Sequence, residues 1–363
     1  MNKKILLAIV GIVAALSVAT LIITRSTQYD DGRTEFRIGV IAPLTGENAT
    51  VGQTCRQAVE FAVAKIYNPY IRYRVFIEDG RFQSARSASA AHRLISRNRV
   101  SAIITCDAPS AAAVAPIAET SGVFMISTIS SAEENIVDNH HVFLNWTLPS
   151  AQTTLAHKML QAANINRMVI FELNHPGAQA IGDSLRTELS STDIAIETIV
   201  INPGERNFAD IVMRAQRFNP DAYMILTLPP TLNILMQRLA EVGDQTQRFS
   251  IEVPTFVEDR TLFEGVKFVD IPDGNPYVIN AYRTKFNTEN IYGVIFVIDS
   301  VTIIDTLVSR HYTNNGILPT GTEMADALLN MQTWGGGKID RYGRIHSSAV
   351  IKKIQNGRVI TIQ

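Results

Sequence analysis

The sequence predicts an α/β protein built from two parallel-sheet domains. Three observations carry this reading. Short apolar runs alternate with segments of helical spacing, as strands and crossover helices do. The alternation occurs twice, once before and once after Trp146. The chain of 363 residues is long enough for two separate cores. Composition agrees, because 46% hydrophobic and 18% charged residues suit a packed globular protein and argue against disorder. The 33 basic and 34 acidic residues nearly cancel, so charge points to neither nucleic acid nor an acidic tail.

Met1-Asn2-Lys3-Lys4 is basic and is followed by an uncharged apolar run from Ile5 to Thr24. At 1.5 Å per residue this run spans about 30 Å, the thickness of a bilayer core. Residues 1–25 therefore read either as a signal peptide, with Ser17-Val18-Ala19 before the cut, or as a retained inner-membrane anchor. The length of the run favours retention. Lys3 and Lys4 orient the remainder outward, and no Cys offers a lipid attachment. Residues 26–34 form a polar linker.

The first array opens with a strand at Phe36–Ile41, broken by Pro43-Leu44-Thr45-Gly46, and a helix over Gln53–Tyr67. Strand Tyr73–Glu78, helix Ala85–Asn98, strand Ala102–Thr105, helix Ala111–Ser121 and strand Val123–Ser127 follow. His141–Pro149 reads as a crossover. The second array runs helix Thr153–Ala163, strand Met168–Phe171, helix Gln179–Leu189, strand Ile194–Val200 and helix Phe208–Phe218. It continues with strand Ala222–Leu226, helix Leu232–Val242 and strand Phe249–Val253. Pro and Gly cluster at Asp270–Pro276, a second crossover. Helices at Tyr277–Asn287, Tyr292–Arg310 and Glu323–Met331 precede Gly335-Gly336-Gly337 and two short strands, Ala349–Gln355 and Arg358–Ile362.

No catalytic motif emerges: HExxH, P-loop, GxSxG and CxxC are all absent. His140-His141 lies on an extended segment, where neighbours point to opposite sides, so it reads as surface loop rather than metal site. Glu133-Glu134 reads as a helix-start pair that complements the dipole. Arg81, Arg86, Arg93, Arg97 and Arg99 read as a solvated face without interleaved aromatic residues. Cys55 and Cys106 are either a disulfide or two separate buried thiols. The informative loops follow strands, where open parallel sheets bind ligands. They are Thr45-Gly46-Glu47, Asp107-Ala108-Pro109-Ser110 and Thr128-Ile129-Ser130-Ser131. The last two are small and hydroxyl-rich; at a helix start they serve either as an anion pocket or as plain caps.

At this point the sequence resembles a known family. Ile38-Gly39-Val40-Ile41-Ala42-Pro43-Leu44-Thr45-Gly46, Gly52 and Ala58-Val59-Glu60-Phe61-Ala62 are similar to the opening of type I periplasmic binding proteins. The branch resembled is the leucine/isoleucine/valine-binding group of ABC transporters. Ala113-Val114-Ala115-Pro116-Ile117-Ala118-Glu119, Gly122-Val123, Ile126-Ser127 and Gly337-Lys338-Ile339-Asp340-Arg341-Tyr342-Gly343-Arg344 continue the likeness from Phe36 to Ile362. The resemblance implies two doubly wound lobes joined by three crossovers, closing by hinge motion over a ligand. Lobe 1 would be 35–146 plus 277–336, and lobe 2 would be 147–276 plus 337–363.

The resemblance also implies a ligand site. Ser131 matches a hydroxyl that holds an amino acid's carboxylate and ammonium, and Ser130 a carbonyl facing the ammonium. Ser110, or Asp107 in the same loop, stands in a carboxylate loop, and Glu252 matches the acid that pairs with the ammonium. Three departures alter that shell: Asp107 itself, which would repel a carboxylate; His175-Pro176-Gly177, where an aromatic precedes the Gly; and Leu228-Pro229-Pro230. The expected ligand is therefore an amino acid, an amide or a small carboxylate. No cofactor, metal or nucleic-acid partner is implied, and an ABC permease is the implied protein partner. The alternative is a membrane-tethered sensor or assembly factor, also non-enzymatic.

Overall fold

The protein is described from a computed structural model, over residues 32–131, 139–257, 259–335 and 337–362. The apolar run Ile5–Thr24 and Glu133-Glu134 lie outside the described residues. Among the described residues no helix is long and apolar enough to cross a membrane, and no cluster of His, Cys, Asp and Glu could hold a metal. Of the described residues, Gly32–Glu35 and Asn68–Arg72 group as one small unit, in which the Thr34 N–H donates to the Tyr70 carbonyl at 2.8 Å. Phe36–Tyr67 and Tyr73–Gln363 form the main body.

The first array is β1 (Thr34–Ala42), α1 (Ala49–Lys65), β2 (Ile71–Asp79), α2 (Ser84–Ser96), β3 (Ala102–Thr105), α3 (Ala108–Ser121), β4 (Phe124–Ser127) and β5 (Val142–Asn145). The second is α4 (Pro149–Ala162), β6 (Arg167–Leu173), α5 (Pro176–Leu189), β7 (Ala195–Ile201), α6 (Phe208–Arg217), β8 (Ala222–Leu226), α7 (Thr231–Glu241), β9 (Gln247–Ile251) and β10 (Lys267–Asp270). Three helices return, α8 (Pro276–Phe286), α9 (Val294–Asn315) and α10 (Gly321–Met331). The chain then forms β11 (Thr333–Trp334), β12 (Gly337–Lys338), β13 (Arg344–Ile345), β14 (Val350–Gln355) and β15 (Arg358–Thr361).

Two doubly wound sheets result. The first has strand order β13-β5-β4-β3-β1-β2 and the second β15-β14-β10-β9-β8-β6-β7. The chain winds one way from β1 to β2 and the other way from β3 onward, so the order reverses between β1 and β3. The second sheet reverses in the same manner between β6 and β8. Strands read as continuous apolar runs are buried on both faces: β3, β4 and β8 contain no exposed residue. The lobe 1 core gathers Ile41, Leu94, Ile103, Met125 and Trp146. In lobe 2, Phe171, Tyr223, Leu235 and Phe268 cover one face of the sheet and Leu160, Met168, Leu185 and Met224 the other.

One strand occupies a segment that reads as a crossover. Val142–Asn145, within the first crossover, pairs in parallel with β4. The last crossing also falls later than residues 336–337, where the sequence placed it. β13 still pairs with β5 in the first sheet, whereas β14 pairs with β10 in the second, so the chain changes lobe between Ile345 and Val350. Gly335 and Gly337, which read as a boundary, belong to a tight β11–β12 hairpin instead, and a Cβ on Gly337 would lie 1.9 Å from the His346 carbonyl oxygen. Two of the crossings run side by side there, with the Thr147 and Ser347 hydroxyls 3.0 Å apart.

Candidate functional site

A cleft opens at the carboxyl ends of both sheets, where loops following strands converge at the two reversals. It encloses about 700 Å³ of non-protein space, its mouth included. Asn48 follows β1, Asp107 and Ala108 follow β3, and Ile129, Ser130 and Ser131 follow β4. From lobe 2 come His175 and Gly177 after β6, Thr227 and Leu228 after β8, and Glu252 and Val253 after β9. Phe82, Ile181, Leu226 and Ile251 give the cleft its mainly apolar wall. Five of the six site residues expected from sequence thus share one cavity: Asp107, Ser130, Ser131, His175 and Glu252. Ser110 is not among its walls. Its hydroxyl is fully buried, donating to Asp107 Oδ2 at 2.7 Å and lying 2.8 Å from the Ser87 hydroxyl.

Asp107 caps helix α3. Its extended backbone lets Oδ1 accept from the Ser110 N–H at 2.7 Å, satisfying one of the helix's free donors. Burial pushes the carboxyl up to about 6, against the two hydrogen bonds from Ser110 that favour the anion. The loop is fixed from behind, because Cys106 is joined by a disulfide to Cys55 of α1.

Glu252 has a positive φ of 65°, unusual for a non-glycine residue and a form of local strain that clusters at ligand sites. Three donors converge on its buried carboxylate. Trp146 Nε1–H donates to Oε1 at 2.9 Å, the Gln152 amide donates to the same oxygen, and the Tyr292 hydroxyl donates to Oε2 at 2.6 Å. Trp146 and Tyr292 belong to lobe 1, Gln152 and Glu252 to lobe 2, so the network bridges the lobes. Burial raises the Glu252 pKa; the three donors oppose that and the neighbouring Asp270 adds to it.

Across the cleft His175 stacks on Phe82, with ring centroids 4.9 Å apart and planes within 5°. Its Nδ1 accepts from the Gly177 N–H at 3.2 Å, so in the neutral ring the proton sits on Nε2. That Nε2 is buried and has no hydrogen-bond partner among the described residues. Burial lowers the ring's pKa to about 4, which keeps it uncharged at neutral pH. Thr227 is fully buried, and its hydroxyl likewise has no partner among the described residues.

Residues 35–262 match the family model described as periplasmic binding protein. The chain belongs to the periplasmic binding protein family. No curated protein sequence matches it significantly. Among solved structures, a leucine-binding protein of Thermotoga maritima shares 20% identity with a TM-score of 0.81, covering 90% of this chain and 98% of its own. A branched-chain amino acid transporter substrate-binding protein of Streptococcus pneumoniae, in complex with isoleucine, shares 18% identity with a TM-score of 0.78, covering 91% and 100%. An ABC transporter solute-binding protein of R. palustris, in complex with 4-hydroxybenzoate, shares 16% identity with a TM-score of 0.80, covering 91% and 96%. At these identities the likeness establishes the fold.

Within this periplasmic binding protein, sequence reasoning missed the donors to Glu252. Trp146 sits in the crossover after β5, Gln152 in the first turn of α4 and Tyr292 just before α9. The available signal was Glu252 itself, since a buried acid requires donors.

Proposed function

We propose that the chain is an extracytoplasmic solute-binding protein that captures one small molecule between its lobes and presents it to an ABC transporter. One observation carries the reading: a largely apolar cleft at the carboxyl ends of both sheets, walled by both lobes and holding a few convergent polar groups. Amino-acid and hydroxybenzoate complexes of similarly folded proteins support a ligand of that size. Ser131, buried at the cleft wall in lobe 1, and Thr227, opposite in lobe 2, are the proposed polar contacts. No step of catalysis enters this reading.

Thermal-shift screening of the full chain against amino acids, amides and organic acids tests it, because a ligand that binds only the folded state raises the melting temperature. Binding of a hit should weaken in Ser131→Ala. Unchanged affinity would show that the ligand sits elsewhere. A second reading, a membrane-tethered sensor or assembly factor on the same fold, is favoured by the length of the apolar run Ile5–Thr24. N-terminal sequencing separates the two: a mature start near Thr20 removes the tether, and an intact Met1 end retains it.

A further inference from the structure

The identity of the polar groups in the cleft restricts what it can hold. Among the described residues its walls carry two carboxyl groups, Asp107 and Glu252, and no Lys or Arg. The start of α3, the natural seat for a ligand's carboxylate, is already taken by the Asp107 side chain, which accepts from both the N–H and the hydroxyl of Ser110. A ligand carboxylate would lose its hydration, gain no cation and lie in one apolar cavity with two acids. An ammonium would suit the acids, but it would leave the buried His175 Nε2–H facing no acceptor. An uncharged amide answers both requirements: its N–H groups donate to carboxyl or hydroxyl oxygens, and its carbonyl accepts from an imidazole N–H.

Resting on the solute-binding reading, we propose that the cleft selects an uncharged carboxamide with a compact apolar body, and that Asp107 is the residue that excludes carboxylates. The apolar part packs against Phe82, Ile181, Leu226 and Ile251, and the amide engages His175 and the fully buried Thr227 hydroxyl.

The test is calorimetric titration of the full chain at neutral pH with two matched series: benzamide, benzoate and benzylamine, then isovaleramide, isovalerate and isoamylamine. The amide of each series should bind at least tenfold more tightly than its carboxylate and its amine. In Asp107→Asn, which keeps a helix-capping oxygen, the preference of amide over carboxylate should shrink at least tenfold. A carboxylate or an amine that binds as well as the amide overturns the proposal. So does an unchanged preference in Asp107→Asn. If no member of either series binds while another class of solute does, the amide selection fails and the solute-binding reading stands; if no solute binds, both fail.

Discussion

Asp107 makes a quantitative prediction that needs no ligand. Its carboxyl group titrates near 6 in the folded protein and near 3.8 when exposed. Between these values the folded state holds a proton that the unfolded state has released, so stability falls as pH rises through the window and is fully retained only below it. A shift of about two units, at about 1.4 kcal/mol each, amounts to about 3 kcal/mol of stability lost by neutral pH. Asp107→Asn removes that loss while keeping the cap. The amide oxygen accepts from the Ser110 N–H, and the amide N–H donates to the Ser110 hydroxyl, which turns its own proton to Ser87, 2.8 Å away. The assay is thermal melting of both proteins from pH 4 to pH 8. Relative to wild type, the variant should gain roughly 3–5 °C between pH 4 and pH 7, at about 1.5 °C per kcal/mol for a body of this size. Melting temperatures that differ by a constant across the range, or a wild type that gains on the variant as pH rises, would refute the reasoning.

Two further predictions concern the frame around the cleft. Gly52→Ala in α1 would ordinarily stabilise a helix by about 0.5–1 kcal/mol. Here the new Cβ would lie 2.2 Å from the Pro43 carbonyl oxygen, so the clash wins and stability should fall on the order of 1–3 kcal/mol; an unchanged or higher melting temperature would contradict this. Lys352 is buried in lobe 2, with Nζ 2.9 Å from the equally buried Asp270 and 2.5 Å from Asp273. Lys352→Met should cost about 3–5 kcal/mol in urea denaturation by leaving Asp270 uncompensated, and adding Asp270→Asn should restore most of it.

The parts of the fold that rest on local pattern were legible. Runs such as Ala222–Leu226 could only be buried strands, and their alternation with helices gave the two parallel sheets. Short strands such as β13 and β10 were not legible, because a few residues carry no periodicity of their own and pair only when a neighbour is in place. In the site, positions after strands were readable. Asp107, Ser130 and Ser131 lie in loops after strands, and the family resemblance added His175 and Glu252; all five line the cleft, where the carboxyl ends of the strands point. Ser110 follows Asp107 by three residues, and at that spacing its backbone and hydroxyl serve the cap rather than the cavity. The donors to Glu252 come from three segments far apart in sequence, a convergence that exists only once both lobes are assembled.

The interleaving of the lobes bears on how the chain is made. The Asn290 amide donates to the Thr54 hydroxyl across 236 positions, and β10 pairs with β14 with Lys267 opposite Lys353. Neither lobe can therefore bury its full core from one contiguous stretch of chain. While synthesis proceeds, the first five strands await helix α9, and the second sheet awaits β14 and β15 to cover the edge of β10. Contacts this distant in sequence form slowly, because the loops they close must be ordered before the contacts reward it. For a member of a periplasmic family, contacts that close this late would favour a chain still unfolded while it is threaded across a membrane.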